Sequence, residues 1–184
     1  MGFGTIFATI AMVVIIGISS YLFMTGALFT MDTLSSSLKI ANEIDNEQLK
    51  TEIEIGDVVV KTSNPGSGSS DINVSINNTG STKILKSEFE HIDVFVYYHN
   101  YTSAGENITI HRGIPYNDTN YSALQGNEWT VVDITPDLIN PRIFDPDEQM
   151  KIVIRVEPAI NSTMQNGNWT KIVMPNAVSA SKYF

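Results

Sequence analysis

The stretch Asp71–Gly80, DINVSINNTG, alternates apolar and polar residues and then runs into Asn-Thr-Gly, a turn sequence. The period is two, so Ile72, Val74 and Ile76 share one face of a strand and Asn73, Ser75 and Asn77 the other. Such a strand buries one side and wets the other, as antiparallel sheets do. Asn73 and Asn77 each open an Asn-x-Ser/Thr sequon, and both project from the wet side.

The same grammar recurs downstream. In EIEIGDVVV (Glu52–Val60), Ile53 and Ile55 oppose Glu52 and Glu54. HIDVFVYY (His91–Tyr98) is apolar on both faces, as expected of a central strand. NITIH, EWTVVDI, MKIVIRV and TKIVM follow, separated by Gly, Pro, Asn and Asp clusters. Gly56 and the segment TSNPGSGSS (Thr62–Ser70) read as turn and loop. About seven short strands at this spacing predict an all-β, immunoglobulin-like antiparallel sandwich. An open sheet or a barrel satisfies the same pattern, because one sequence does not disclose strand order.

Ahead of this domain the chain is of another kind. No charged residue precedes Asp32. The run FATIAMVVIIGISSYLFMTGALF (Phe7–Phe29) is long enough as a helix to cross a hydrocarbon core of ~30 Å. A cleaved secretory signal would carry a basic start, a shorter apolar stretch and a small-x-small site; their lack points to an uncleaved anchor. A buried core helix is the alternative. Residues 32–50 hold no Pro or Gly and place Leu34, Leu38, Ala41 and Ile44 on one stripe, so the helix is expected to continue to about residue 50. Two domains follow: residues 1–50, a hydrophobic transmembrane helix with its spacer, and residues 51–184, an extracytoplasmic β-sandwich.

Charge and composition narrow the function classes. A formal charge of −9 and a pI near 4.6 argue against nucleic-acid binding through a basic surface. With 17% charged residues, the chain is too little charged to be a disordered acidic tail. It has no cysteine, which removes disulfides, Cys-ligated zinc and thiol nucleophiles. Sequons begin at Asn73, Asn77, Asn100, Asn107, Asn117, Asn120, Asn161 and Asn168: eight among 16 Asn, where the Ser and Thr content predicts about three. All lie beyond residue 70, which suggests a glycosylated ectodomain. Lys39 and Lys50 follow the helix and no Lys or Arg precedes it, which by the positive-inside rule would keep the C-terminal side in the cytoplasm. Lys39 lies eight residues beyond Met31, however, and long domains translocate largely regardless of charge. The expected topology is therefore single-pass with the C-terminal domain outside.

No phosphate-binding glycine loop, His-Glu-x-x-His pair or Gly-x-Ser-x-Gly elbow is present. His91, His99 and His111 fit no zinc spacing. FDPDEQM (Phe144–Met150) gathers hard oxygen ligands, and Asp145, Asp147 and Glu148 are the weak candidates for a cation; a solvated loop before the strand KIVIRV is the favoured reading. No catalytic carboxylate pair stands out. The expectation is a protein that is not an enzyme and carries no cofactor.

An apolar helix opening MGFGTIFATIAMVVIIG and running into a β-sandwich resembles the archaellin superfamily, whose helix is related to that of type IV pilins. Within it, the archaellum accessory proteins F and G (FlaF/FlaG, also ArlF/ArlG) are the better match. INVSINNTGST is similar to their strand and Asn-Thr-Gly turn. EWTVVDITPDLINPRIFDPDEQMKIVIRV resembles their Trp strand, Pro-bounded loop and next strand, and MPNAVSASKYF the exit from the terminal strand. The type IV pilin helix has an acidic residue near its start, where this chain has Thr5, a lack that archaellins share.

The resemblance implies a mechanical role. Accessory proteins of this type are stator components, anchored by the helix in the cytoplasmic membrane, with the β domain binding surface-layer protein. Other archaellum proteins and further copies of the chain are the implied partners, and nucleic acid is not among them. The competing class is a filament-forming subunit, an archaellin or related pilin, located in an extracellular filament. A glycosylated single-pass receptor or adhesin differs from the stator only in its ligand.

Overall fold

The computed structural model describes residues 2–62, 68–101, 107–138, 140–161 and 167–184. Part of the loop expected at Thr62–Ser70 lies outside the described residues, as do the hydroxyl residues of the sequons at Asn100 and Asn161.

Helix α1 runs unbroken from Phe3 to Lys50, 48 residues or about 70 Å. None of its residues is buried. Among the described residues it is the one helix long and apolar enough to cross a membrane. Its threonine hydroxyls are satisfied locally: Thr5 donates to the Gly2 carbonyl, Thr9 to Thr5, Thr25 to Tyr21 and Thr30 to Gly26. Each side chain bonds one turn back along its own helix, so these polar groups need nothing from outside.

The chain divides into two compact units, Met1–Asp45 and Asn46–Phe184, and the division falls inside α1, before its last turn. In the second unit that last turn is tied down. Asn176 donates to Thr51 Oγ1 at 2.6 Å, and Gln48 donates to the Asn176 carbonyl. The Asn-Thr-Gly turn receives the chain as it leaves the helix: Ser81 N–H donates to the Lys50 carbonyl, and the N–H groups of Thr79 and Gly80 both donate to the Glu52 carbonyl. A Cβ on Gly80 would collide with the backbone of Lys50–Glu52, so only glycine permits this approach.

Among the described residues eight strands follow: β1 (Ile53–Thr62), β2 (Ser70–Asn78), β3 (Asp93–Tyr101), β4 (Asn107–Ile114), β5 (Glu128–Thr135), β6 (Gln149–Val156), β7 (Trp169–Val173) and β8 (Ser179–Tyr183). They form two antiparallel sheets, β1-β2-β6-β5 and β4-β3-β7-β8, packed over one core. The expected sandwich is present. β8 is additional to the seven strands foreseen, formed where the turn at Asn176–Ala177 folds the chain back on β7.

The register of β2 is the one the alternation predicts. Ile72, Val74 and Ile76 are fully buried, while Asn73, Ser75 and Asn77 stay partly exposed. Facing them across the core are Val94, Val96 and Tyr98 of β3 and Ile172 of β7. The fully buried Trp129 of β5 packs its indole against the Tyr116 ring, with centroids 4.7 Å apart and the planes tilted by 52°. Both flanks of the sandwich are joined. Lys182 of β8 donates to the carbonyls of Ile55 and Gly56 on β1. On the other flank Trp129 N–H donates to the Pro115 carbonyl, and Asn117 N–H to the Trp129 carbonyl.

Candidate functional site

The sequons do not share one environment. Asn73 and Asn77 lie on the outer face of the first sheet, as their register demands. Asn73 borders a shallow groove of about 240 Å³ that Val59, Val132 and Val153 line. The Asn77 amide oxygen accepts from Gln149 Nε2 at 3.0 Å. Asn100 is half-buried on β3 and Asn107 exposed on β4. Asn117 already spends its amide nitrogen on Glu128 Oε2 at 2.9 Å. Asn120 is exposed and caps a short 3-10 turn, Tyr121–Ala123, by accepting from Ser122 N–H. The amide nitrogen of Asn161 is buried. Asn168 is 1% exposed, and its amide oxygen accepts from His99 N–H at 3.1 Å. The sequons at Asn161 and Asn168 are thus folded inward, and those at Asn73, Asn77, Asn107 and Asn120 reach the surface.

The acidic loop is structural in its contacts. Asp145 and Glu148 are buried and Asp147 is exposed. Glu148 Oε2 accepts from Asp145 N–H at 2.9 Å, and the Asp145 carboxylate accepts from Asn140 Nδ2. Asp147 stands in the left-handed region, with φ 65°, and its N–H donates to the Asn78 carbonyl. The three carboxylates therefore point into different roles. Among the described residues no group of three or more His, Asp or Glu is placed to share a metal ion.

Two polar constellations were not visible in the sequence. The first is centred on Asp71, the opening residue of the deciding stretch. Arg155 grips its carboxylate in a two-pronged contact, Nε to Oδ1 at 2.8 Å and Nη2 to Oδ2 at 3.0 Å. Tyr121 donates its hydroxyl to Oδ2 at 2.7 Å, and Arg155 Nη1 donates to the Leu124 carbonyl. The guanidinium lies 5.4 Å from the centre of the Tyr121 ring. Bonding to Asp71 raises the Arg155 pKa and also that of the Tyr121 phenol. The cluster fastens the Tyr121–Ala123 turn to the sheet. Its partners are 50 and 84 residues away from Asp71, too far for any local pattern to reveal.

The second lines a cleft of about 440 Å³ beside β5, bounded by Lys86, Phe89, Tyr116, Asp118, Asp133 and Arg142. Lys86 pairs with Asp118 at 2.7 Å, and that bond holds the Asp118 carboxyl below the usual range. Burial pushes the Tyr116 phenol up to about 12, and the neighbouring Asp118 adds to the shift. Asp137 accepts from the N–H of Arg142. Charges of both signs line the cleft, Lys86 and Arg142 against Asp118, Asp133 and Asp137, so one carboxylate is left in excess.

A family model for archaeal-type flagellin matches residues 1–183, so both the apolar helix and the sandwich fall inside it. The chain belongs to the archaeal-type flagellin family. An uncharacterized protein of Archaeoglobus fulgidus is 32% identical over 185 residues, covering all of this chain and 96% of the relative. Among solved structures, the archaellum periplasmic stator protein FlaG from Sulfolobus acidocaldarius aligns with 73% of this chain and 99% of its own at 18% identity, with a TM-score of 0.44. A chain of the FlaF and FlaG stator complex from the same organism aligns with 73% of this flagellin-family chain and 89% of its own, at 18% identity and a TM-score of 0.42.

Proposed function

We propose that this protein is a membrane-anchored component of the archaeal motility machinery, a stator whose β domain lies outside the cytoplasmic membrane and binds surface-layer protein. One observation carries the reading. The 48-residue helix has no buried residue, is uncharged through Met31 and bonds its own threonine hydroxyls, so its apolar run needs an apolar environment that the rest of the chain does not supply. A helix of about 70 Å exceeds a ~30 Å hydrocarbon core by several tens of ångströms, which leaves length for a spacer. Family membership supports a place in the archaellum, and the motifs around Ile72–Thr82 and Glu128–Val156 favour the accessory proteins within it. The role is mechanical, and the domain's partners are the surface layer, other archaellum proteins and further copies of itself.

A second reading, a filament-forming subunit, draws on the same helix, because a helix apolar all round packs as well into a helical filament core as into lipid. Two measurements separate them. Detergent-solubilised full-length protein is expected to retain surface-layer protein in a pull-down, and sheared, purified filaments are expected to contain it at trace level by mass spectrometry. Finding it as the dominant filament polypeptide, with no retention of surface-layer protein, would replace the stator with the subunit.

A further inference from the structure

The outer face of the second sheet is built of rings. β3 turns Val94, Val96 and Tyr98 into the core and Phe95, Tyr97 and His99 outward. Antiparallel partners share a face, so the register sets His111 of β4, Tyr97 of β3, Trp169 of β7 and Tyr183 of β8 in one row across all four strands. Three strand spacings make the row about 14 Å long. The Tyr97 and Trp169 rings are parallel to within 4°, with centroids 5.7 Å apart. The His111 ring lies 5.5 Å from the indole, and His99 meets Tyr97 edge-on at 5.5 Å. Phe95 stands in the next row opposite Gly113, where even a Cβ would already touch the ring at 3.4 Å. Tyr183 is 72% exposed, His111 is exposed, and the other rings are half-buried.

The chemistry of this face is selective. Among its described outward strand positions Val173 is the one aliphatic side chain, so it lacks the aliphatic filling of a core awaiting a partner. Phenol, imidazole and indole edges bring hydrogen-bonding tips with apolar bodies. The hydroxyls of Thr109 and Ser181 and the Lys171 ammonium occupy neighbouring positions on the same face. The chain has 20 acidic residues, yet among the outward positions of this sheet only Asp93, at the margin, is acidic. A cation would find little to bind. A sugar would find both of its needs, since the C–H face of a pyranose packs on aromatic rings and its hydroxyls take up the polar tips.

We propose that this face binds a neutral glycan, a short run of hexose units lying along the row from His111 to Tyr183. The proposal deepens the anchoring reading, since a glycosylated lattice would present such chains, and rests on it for its setting. It is tested apart from that reading by titrating full-length protein, held in a detergent with no sugar headgroup, with neutral hexasaccharides of glucose, mannose and galactose. The chain has two tryptophans, and Trp129 is sealed in the core, so a ligand-dependent change in fluorescence reports Trp169. A saturable change with at least one hexasaccharide is expected, and Tyr97→Ala should weaken it roughly tenfold. Should Tyr97→Ala not fold, Tyr183→Ala alters only an exposed ring and should weaken binding measurably by the same readout. A flat titration with every hexasaccharide overturns the proposal, even where surface-layer protein is still retained in the pull-down. It is equally overturned if both variants bind as the unaltered chain does. Light scattering that shows Tyr183→Ala dissociating an oligomer, with no response to sugar, would give the face to a second copy of the chain instead.

Discussion

Replacing Arg155 with Met tests the cluster that fastens the Tyr121–Ala123 turn. The Asp71 side chain is 3% exposed and takes two bonds from the guanidinium, at 2.8 and 3.0 Å. Removing one member of a buried ion pair costs about 3–5 kcal/mol, because the surviving charge stays out of water. Arg155 is itself 19% exposed, so solvent already reaches its end of the pair and the lower limit, ~3 kcal/mol, is the better figure. For a β domain of this size each kcal/mol moves Tm by roughly 4 °C, giving a fall of about 12 °C. Replacing both residues, Asp71→Val with Arg155→Met, removes the stranded charge and should cost ~1 kcal/mol or less. Thermal unfolding of the detergent-solubilised chain, followed through the buried Trp129, compares both variants with the unaltered chain. If Arg155→Met is no less stable than the double variant, the carboxylate is not trapped and the argument fails.

Val74→Asp should destabilise the domain by several kcal/mol, since it places a charge between the sheets, whereas Ser75→Asp faces outward beside Lys151 and should cost ~1 kcal/mol or less; equal losses in a denaturant titration would reject the register. Burial pushes the phenols of Tyr98 and Tyr116 up to about 12. The folded state thus favours their neutral form while the unfolded chain ionises near 10, so the stability they contribute is intact below pH ~10 and is lost as pH rises toward 12. Absorbance titration of the seven tyrosines should show at least two ionising only near that limit, and ionisation of all seven close to pH 10 would contradict the burial. Protein from its native source should exceed 20.3 kDa by glycan increments, with peptide mapping finding sugar at Asn73, Asn77, Asn107 or Asn120; a glycan at Asn168 would contradict its inward fold.

What could be foreseen was whatever one face of one element determines. The β2 register was legible because its period of two must match a core on one side, and a slip by one residue would bury Asn73, Ser75 and Asn77 together. β8 was not, because Ser179–Tyr183 offers Ala180 as its one inward apolar side chain, and the ladder to β7 places it rather than its own hydrophobicity. The sequon count was legible, but occupancy depends on where an amide points. Asn168 and Asn73 carry the same motif, yet His99 holds the first inside the fold while the second lines an outer groove. The carboxylates of Phe144–Met150 looked like ligands by composition, and only the fold shows Glu148 turned back on the N–H of Asp145. HIDVFVYY is apolar on both sides and lies inside the second sheet, as its pattern predicts, but its second side meets solvent as the aromatic row rather than another layer.

The threonines of α1 carry a consequence for how such a helix can be handled. Because Thr9, Thr25 and Thr30 close their hydrogen bonds on their own backbone, exchanging lipid neighbours for protein ones breaks no polar contact at those positions. The difference between the two surroundings is then left to dispersion and chain packing, which act gradually along the surface and have no single latch. A helix built this way is a portable part: it can be stored among acyl chains or seated among other helices, and the choice belongs to its neighbours.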